Sequence, residues 1–243
     1  MQTLIHSGIT SSEVDLDLPE TLYYVSNSSI QRGAFLDDSD CAEFLTLLAN
    51  NFAERSWRCY GYCLVPDGYH LLVKTRAPDL SCGLLAIQDA YARRFRRRYH
   101  VVRAHFWGPY RVFFVDKLDF LLPVNRHVMR APVKMRMVKK VLQWRWSSYG
   151  ATVGQTQPPI WLDTREILDR FTGLKTMARR RYRTFVEEPA QASILTQARY
   201  GIFLGHEAFI HKTLAELSGG RAAVPISRPI RRKSRSRWRN LPR

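Results

Sequence analysis

Two runs rich in aromatic and aliphatic residues, Arg58 to Val65 (RCYGYCLV) and Tyr69 to Thr75 (YHLLVKT), are separated only by Pro66-Asp67-Gly68. Turn chemistry this short between two strand-like runs commits the chain to an antiparallel hairpin, because proline presets φ and glycine tolerates φ > 0. The rest of the sequence is arranged about that hairpin. Thr21 to Ser26 (TLYYVS) reads as a strand closed by Asn27-Ser28-Ser29. Asp37 to Asp40 supplies helix caps, and Phe44, Leu45, Leu48 and Phe52 follow at helical spacing, so a helix is expected over 40–55. Ser81 can cap a helix running to about Tyr99, Tyr110 to Val115 (YRVFFV) is a fourth strand, and a helix over 117–130 follows. The order β-α-β-β-α-β predicts a ferredoxin-like split β-α-β domain. That is an α+β fold with an antiparallel sheet and helices on one face.

Pro132 stops or kinks the last helix, and Val133 to Trp144 is expected to be helical again. Helical patterning returns over Asp163 to Phe171, Leu174 to Glu187 and His206 to Leu217. These boundaries divide the chain into an N-terminal extension (1–20), a sheet domain (21–154), a helical annex (155–220) and a tail (221–243).

Hydrophobic residues at 45% exclude global disorder. No run of roughly 18 apolar residues exists, so no membrane helix is expected, and the N-terminus lacks the pattern of a secretion signal. The four cysteines form no CxxC pair. Cys59 and Cys63, four apart in a strand, are expected on one face, as reduced thiols in a cytoplasmic protein. The formal net charge is +17, from 38 Lys and Arg against 21 Asp and Glu, which favours a polyanionic partner, nucleic acid before an anionic membrane surface. The positive charge is blocked. One cluster is Arg93, Arg94, Arg96, Arg97, Arg98 and Arg103, and a second runs through Arg126, Arg130, Lys134 and Arg136. The third is the acid-free tail, with Arg231, Arg232, Lys233, Arg235, Arg237 and a lone Trp238, expected as a disordered basic arm. Phe106, Trp107 and Tyr110 stand between the first two clusters. Aromatics interleaved with arginines suit single-stranded or hairpin nucleic acid.

Five segments together carry a family likeness. They are LYYVSNSS with AFLDD and LLANN, YGYCLVPDGYHLLVKT, DAYARRFRRR with HFWGPYRVFFVD, NRHVMRAPVKMRMV with WRWSSYGA, and LGHEAFI near the end. In this order they resemble the single-tyrosine HUH transposases, particularly the REP-associated tyrosine transposases, over about residues 21–150. The resemblance implies an HUH domain over 21–154 and a DNA partner, single-stranded or hairpin, with RNA also allowed. It further implies a bacterial, nucleoid-associated setting in the cytoplasm. Relatives of the fold often dimerise, so a homodimer is allowed.

The positions that carry chemistry in the family differ here. Its His-x-His metal pair maps onto Gly68 and His70, its tyrosine nucleophile onto His127, and its helical Asn or Gln ligand onto Ala131. Of the four, only His70 is retained, as the one metal ligand if there is any. Losing the nucleophile of an integrated site costs on the order of 10⁶ in rate. The preferred reading is therefore a transposase-derived protein that binds structured single-stranded nucleic acid without cutting it and needs no cofactor. Two alternatives are carried. One is an active nicking and joining enzyme using Mg or Mn through a rearranged site, and the other is an accessory subunit of a nucleoprotein complex. Restoring Gly68→His, His127→Tyr and Ala131→Asn is expected to give partial rescue.

Overall fold

The computed structural model describes residues 17–28, 33–101, 110–188 and 192–218. The basic tail, Arg103, Phe106, Trp107 and most of the N-terminal extension lie outside them. Four strands form the expected antiparallel sheet: β1 (Leu22–Ser28), β2 (Arg58–Val65), β3 (Gly68–Lys74) and β4 (Arg111–Val115). A fifth, β5 (Phe203–Leu204), joins β4 in parallel and makes the sheet mixed, in the order β2-β3-β1-β4-β5. Two residues are too short a run for periodicity to reveal, so the annex that contains them read as wholly helical.

The helices are α1 (Asp38–Arg55), α2 (Leu80–Tyr99), α3 (Leu121–Met129), α4 (Ala131–Lys134), α5 (Tyr149–Thr152), α6 (Thr164–Leu168), α7 (Lys175–Glu187) and α8 (Glu207–Leu217). The α1 helix is capped by the Asp37 carboxylate, which accepts from Asp40 N at 3.0 Å. The α2 helix starts one residue before Ser81, whose backbone N–H and hydroxyl are instead taken by the Asp17 carboxylate at 3.0–3.1 Å. No continuous helix spans 133–144. Arg136 sits at φ +59, a left-handed conformation that ends helical propagation, and only a short 3-10 turn at Val141–Gln143 follows.

Alternation along the strands sorts the core into two layers. Tyr23 and Val25 of β1, Leu71 and Val73 of β3, and Val112 and Phe114 of β4 pack beneath α1 and α2. Tyr24, Leu72, Phe113 and Val115 face the other way, into a second core with α3, α5, α6 and α7. The expectation of helices on one face thus holds for α1 and α2, which α8 of the annex joins through Ile210, while α3 and the annex helices α6 and α7 cover the opposite face. That face is as apolar as the first, so it needs burial too.

A bulge in β2 changes the strand's parity. Cys59 pairs with Val73 and Gly61 with Leu72, leaving Tyr60 extra. Cys59 therefore lies in the first core and Cys63 in the second, on opposite faces rather than one. The bulge also turns Gly61 toward α3, where a Cβ would come within 2.8 Å of the Asn125 amide nitrogen and the Met129 methyl.

Asn125, fully buried, locks this contact. Its Nδ2 donates to Tyr60 O at 2.7 Å and its Oδ1 accepts from the Tyr182 hydroxyl at 2.7 Å, joining α3, β2 and α7. Asn125→Ala removes two buried hydrogen bonds, one to the Tyr60 carbonyl and one from the Tyr182 phenol, an expected loss of roughly 2 to 3 kcal/mol. The shift in urea midpoint measures it, and a loss below about 0.5 kcal/mol, the level of an ordinary surface substitution, would show that the three elements do not depend on this joint.

Candidate nucleic-acid interface

The sheet brings two of the family-matched positions together. His70 of β3 stands in a cross-strand row with Ser26 of β1 and Arg111 of β4, on the face that α3 covers. His127 of α3 reaches down to it, the two imidazole centroids lying 6.2 Å apart and nearly perpendicular. Tyr24 fills the angle between them. Its hydroxyl and His70 Nδ1 share a hydrogen bond of 2.8 Å, and its ring meets His127 edge-on at 5.5 Å. Periodicity marks Tyr24 only as a strand residue, because the contact spans 46 positions.

A lysine completes the group. Lys134 of α4 places Nζ 3.1 Å from His127 Nδ1. An ammonium can only donate, so Nδ1 accepts and the His127 proton resides on Nε2. Burial, with Lys134 nearby, pushes the His70 pKa down to about 4. Burial, then Lys134, then His70, pushes that of His127 to about 3. Both imidazoles are therefore neutral at neutral pH. Burial also holds the Tyr24 phenol protonated far above its usual range, which makes it a poor nucleophile.

These residues do not fit a divalent cation. Nδ1 of each imidazole already has a partner, the His127 proton occupies Nε2, and an ammonium lies where the ion's charge would be felt. Among the described residues no three His, Cys, Asp or Glu side chains are grouped to hold a metal. The other two family-matched positions are closed. Ala131 is buried in the second core, and Gly68 lies in β3 at ordinary strand φ with a Cβ position only 2.0 Å from Asn27 O. The small residue at 68 serves the close approach of β1, not a turn. Partial rescue through Gly68→His is accordingly no longer expected.

The helical line from α3 into α4 carries Arg126, Arg130 and Lys134 at four-residue intervals along one wall of a cleft of about 290 Å³. Arg130 Nη1 donates to the carbonyls of Val186 and Glu187 at 2.9 and 2.6 Å, satisfying the C-terminal end of α7. Arg126 packs its guanidinium over the Phe185 ring at 4.4 Å. Burial together with Arg130 lowers the pKa of both Arg126 and Lys134. Arg111, unremarked in the sequence, is exposed on the same face and lies over Phe113 at 5.3 Å. Arg136 is exposed beyond the cleft.

The first basic cluster lies elsewhere. It sits on α2, across the sheet from His70 and His127. Arg94 pairs with Glu43, and Arg98 pairs with Asp37 and Asp40 at 2.6 and 3.1 Å, so both bind α2 to α1. Arg93, Arg96 and Arg97 are exposed. Tyr110, expected to stack on bases, is buried in the first core, because even-numbered positions of β4 face α1 and α2. Arg103, Trp107, Arg231, Arg232, Lys233, Arg235, Arg237 and Trp238 lie outside the described residues.

No protein-family profile matches the chain, and no curated protein does. A solved structure does: a REP-associated tyrosine transposase bound to a REP hairpin, at TM-score 0.50 and 14% identity, over 60% of this chain and 86% of that one. The chain therefore shares, distantly, a transposase-like α+β fold.

Proposed function

We propose that this protein binds structured single-stranded nucleic acid, hairpin DNA foremost, and does not cut it. The reading rests on one observation: Arg126, Arg130 and Lys134 form a wall of cations along a cleft whose lining, among the described residues, includes no phenol and no metal ligand set. The distant fold relative, bound to a hairpin, supports the class of partner. The exposed arginines of α2 and the tail of 221–243 add contacts to phosphate oxygens, which fix position without reading sequence.

Because Arg94 and Arg98 are engaged by α1, a chain ended at residue 218 is expected to neutralise about five phosphates. Its affinity for a hairpin oligonucleotide should fall roughly 500-fold between about 50 and 200 mM salt. The full chain should fall more steeply, with roughly six to ten contacts. Fluorescence anisotropy against salt measures both, and a flat response would sink the phosphate-binding reading. Incubating the hairpin with Mg²⁺ or Mn²⁺ should give neither a nick nor a covalent adduct. A metal-dependent cut abolished by both His70→Ala and His127→Ala would establish an enzyme in place of a binding protein.

A further inference from the structure

The cleft beside His127 collects three cationic side chains and one carboxylate, Asp119, which His206 already engages at 3.3 Å. Arg126, Arg130 and Lys134 belong to none of the ion pairs among the described residues. Their positions are nonetheless fixed, Arg130 by the end of α7 and Arg126 by the Phe185 ring. Lys134 spends one N–H on His127 Nδ1 and keeps two, and His127 keeps its Nε2 proton. Three cations outnumber the nearby carboxylates, Asp119, which is engaged by His206, and Glu188, which is felt at Arg126 without an ion pair. Donors unused by the protein face the cleft, so the site matches an anion.

We propose that this cleft is a phosphate site that works without metal, Lys134 Nζ and His127 Nε2 donating to oxygens of a phosphate mono- or diester, with Arg126 and Arg130 as a fixed positive wall. The proposal rests on the nucleic-acid reading and names the group that the cleft holds within it. No bond is made or broken. The volume, near the small end for ligand sites, suits a phosphate with its sugar better than a whole nucleotide stack.

The test follows the His127 ring resonances of the full-length protein by NMR, in excess EDTA. Inorganic phosphate, thymidine 5′-monophosphate and a thymidine dinucleoside phosphodiester are added separately. Saturable shifts are expected with phosphate. Lys134→Gln should weaken them roughly tenfold or more, the effect of one charge-assisted hydrogen bond, and Lys134→Arg should retain most of the affinity. Tighter binding of the monophosphate marks a terminal phosphate as the guest, whereas binding of the diester at least as tightly marks a backbone phosphate. His127 signals that stay still, that move only with Mg²⁺ present, or that are indifferent to Lys134→Gln in a folded protein would overturn the assignment. A hairpin oligonucleotide on the same samples keeps the two readings apart. Hairpin binding with a silent His127 removes the cleft site alone, and phosphate binding without hairpin binding removes the nucleic-acid reading alone.

Discussion

Replacing Gly68 by histidine is expected to destabilise the fold by about 3 kcal/mol or more, the upper end of what forcing extra atoms into a packed site costs. The clash arises at the first side-chain atom. A Cβ at position 68 falls 2.0 Å from Asn27 O and 3.0 Å from Ser28 Cα, both backbone atoms that no rotamer change can move. The register pairs Gly68 with Ser28, so relief requires the end of β1 to separate from β3. Gly68→Ala should therefore reproduce most of the loss. Urea denaturation of both variants checks this, and a Gly68→His protein as stable as the parent would show that the strands can part there freely. The same geometry means that the triple substitution toward the family's chemical groups yields a less stable protein rather than a partly restored enzyme.

Acid should destabilise the protein through His70 and His127 well before its carboxylates protonate. Both imidazoles ionise near 6.5 when unfolded, but only near 4 and 3 in the fold. The unfolded chain thus binds more protons below pH 6.5, and stability falls as pH falls from there toward pH 4. Above pH 6.5 neither state is protonated and the effect vanishes. Each histidine contributes a slope of about 1.4 kcal/mol per pH unit, so roughly 4 kcal/mol is lost by pH 5. Denaturation midpoints at several pH values, compared with His127→Gln, isolate the histidine part. A wild-type slope equal to that of the variant would remove His127 from this account.

Most of the frame was legible in the sequence, because strands and helices with strong periodicity announce themselves. The hairpin, β1, β4, α1 and α2 lie within a few residues of expectation. What was hidden depends on contacts between distant positions or on single backbone angles. The left-handed Arg136 broke an apolar pattern that otherwise reads as helix, and the bulge at Tyr60 reversed the faces of two cysteines. Periodicity alone says nothing of the meeting of His70 with His127; only the family resemblance, which maps both onto chemical positions, set them side by side in one pocket. Its third member, Tyr24, its lysine, and the engagement of Arg94 and Arg98 by acids on α1 are visible only once the chain has folded.

Arg130 caps the last turn of α7 while forming part of the cleft wall. A mutational scan that reads out only binding would score its loss as a missing ligand contact, although a frayed α7 would give the same phenotype. The two duties also protect the charge. Substitutions that neutralise Arg130 uncover carbonyls and are disfavoured for folding alone, whether or not any anion is met. The charge at position 130 is therefore held in place by folding before any binding partner is considered.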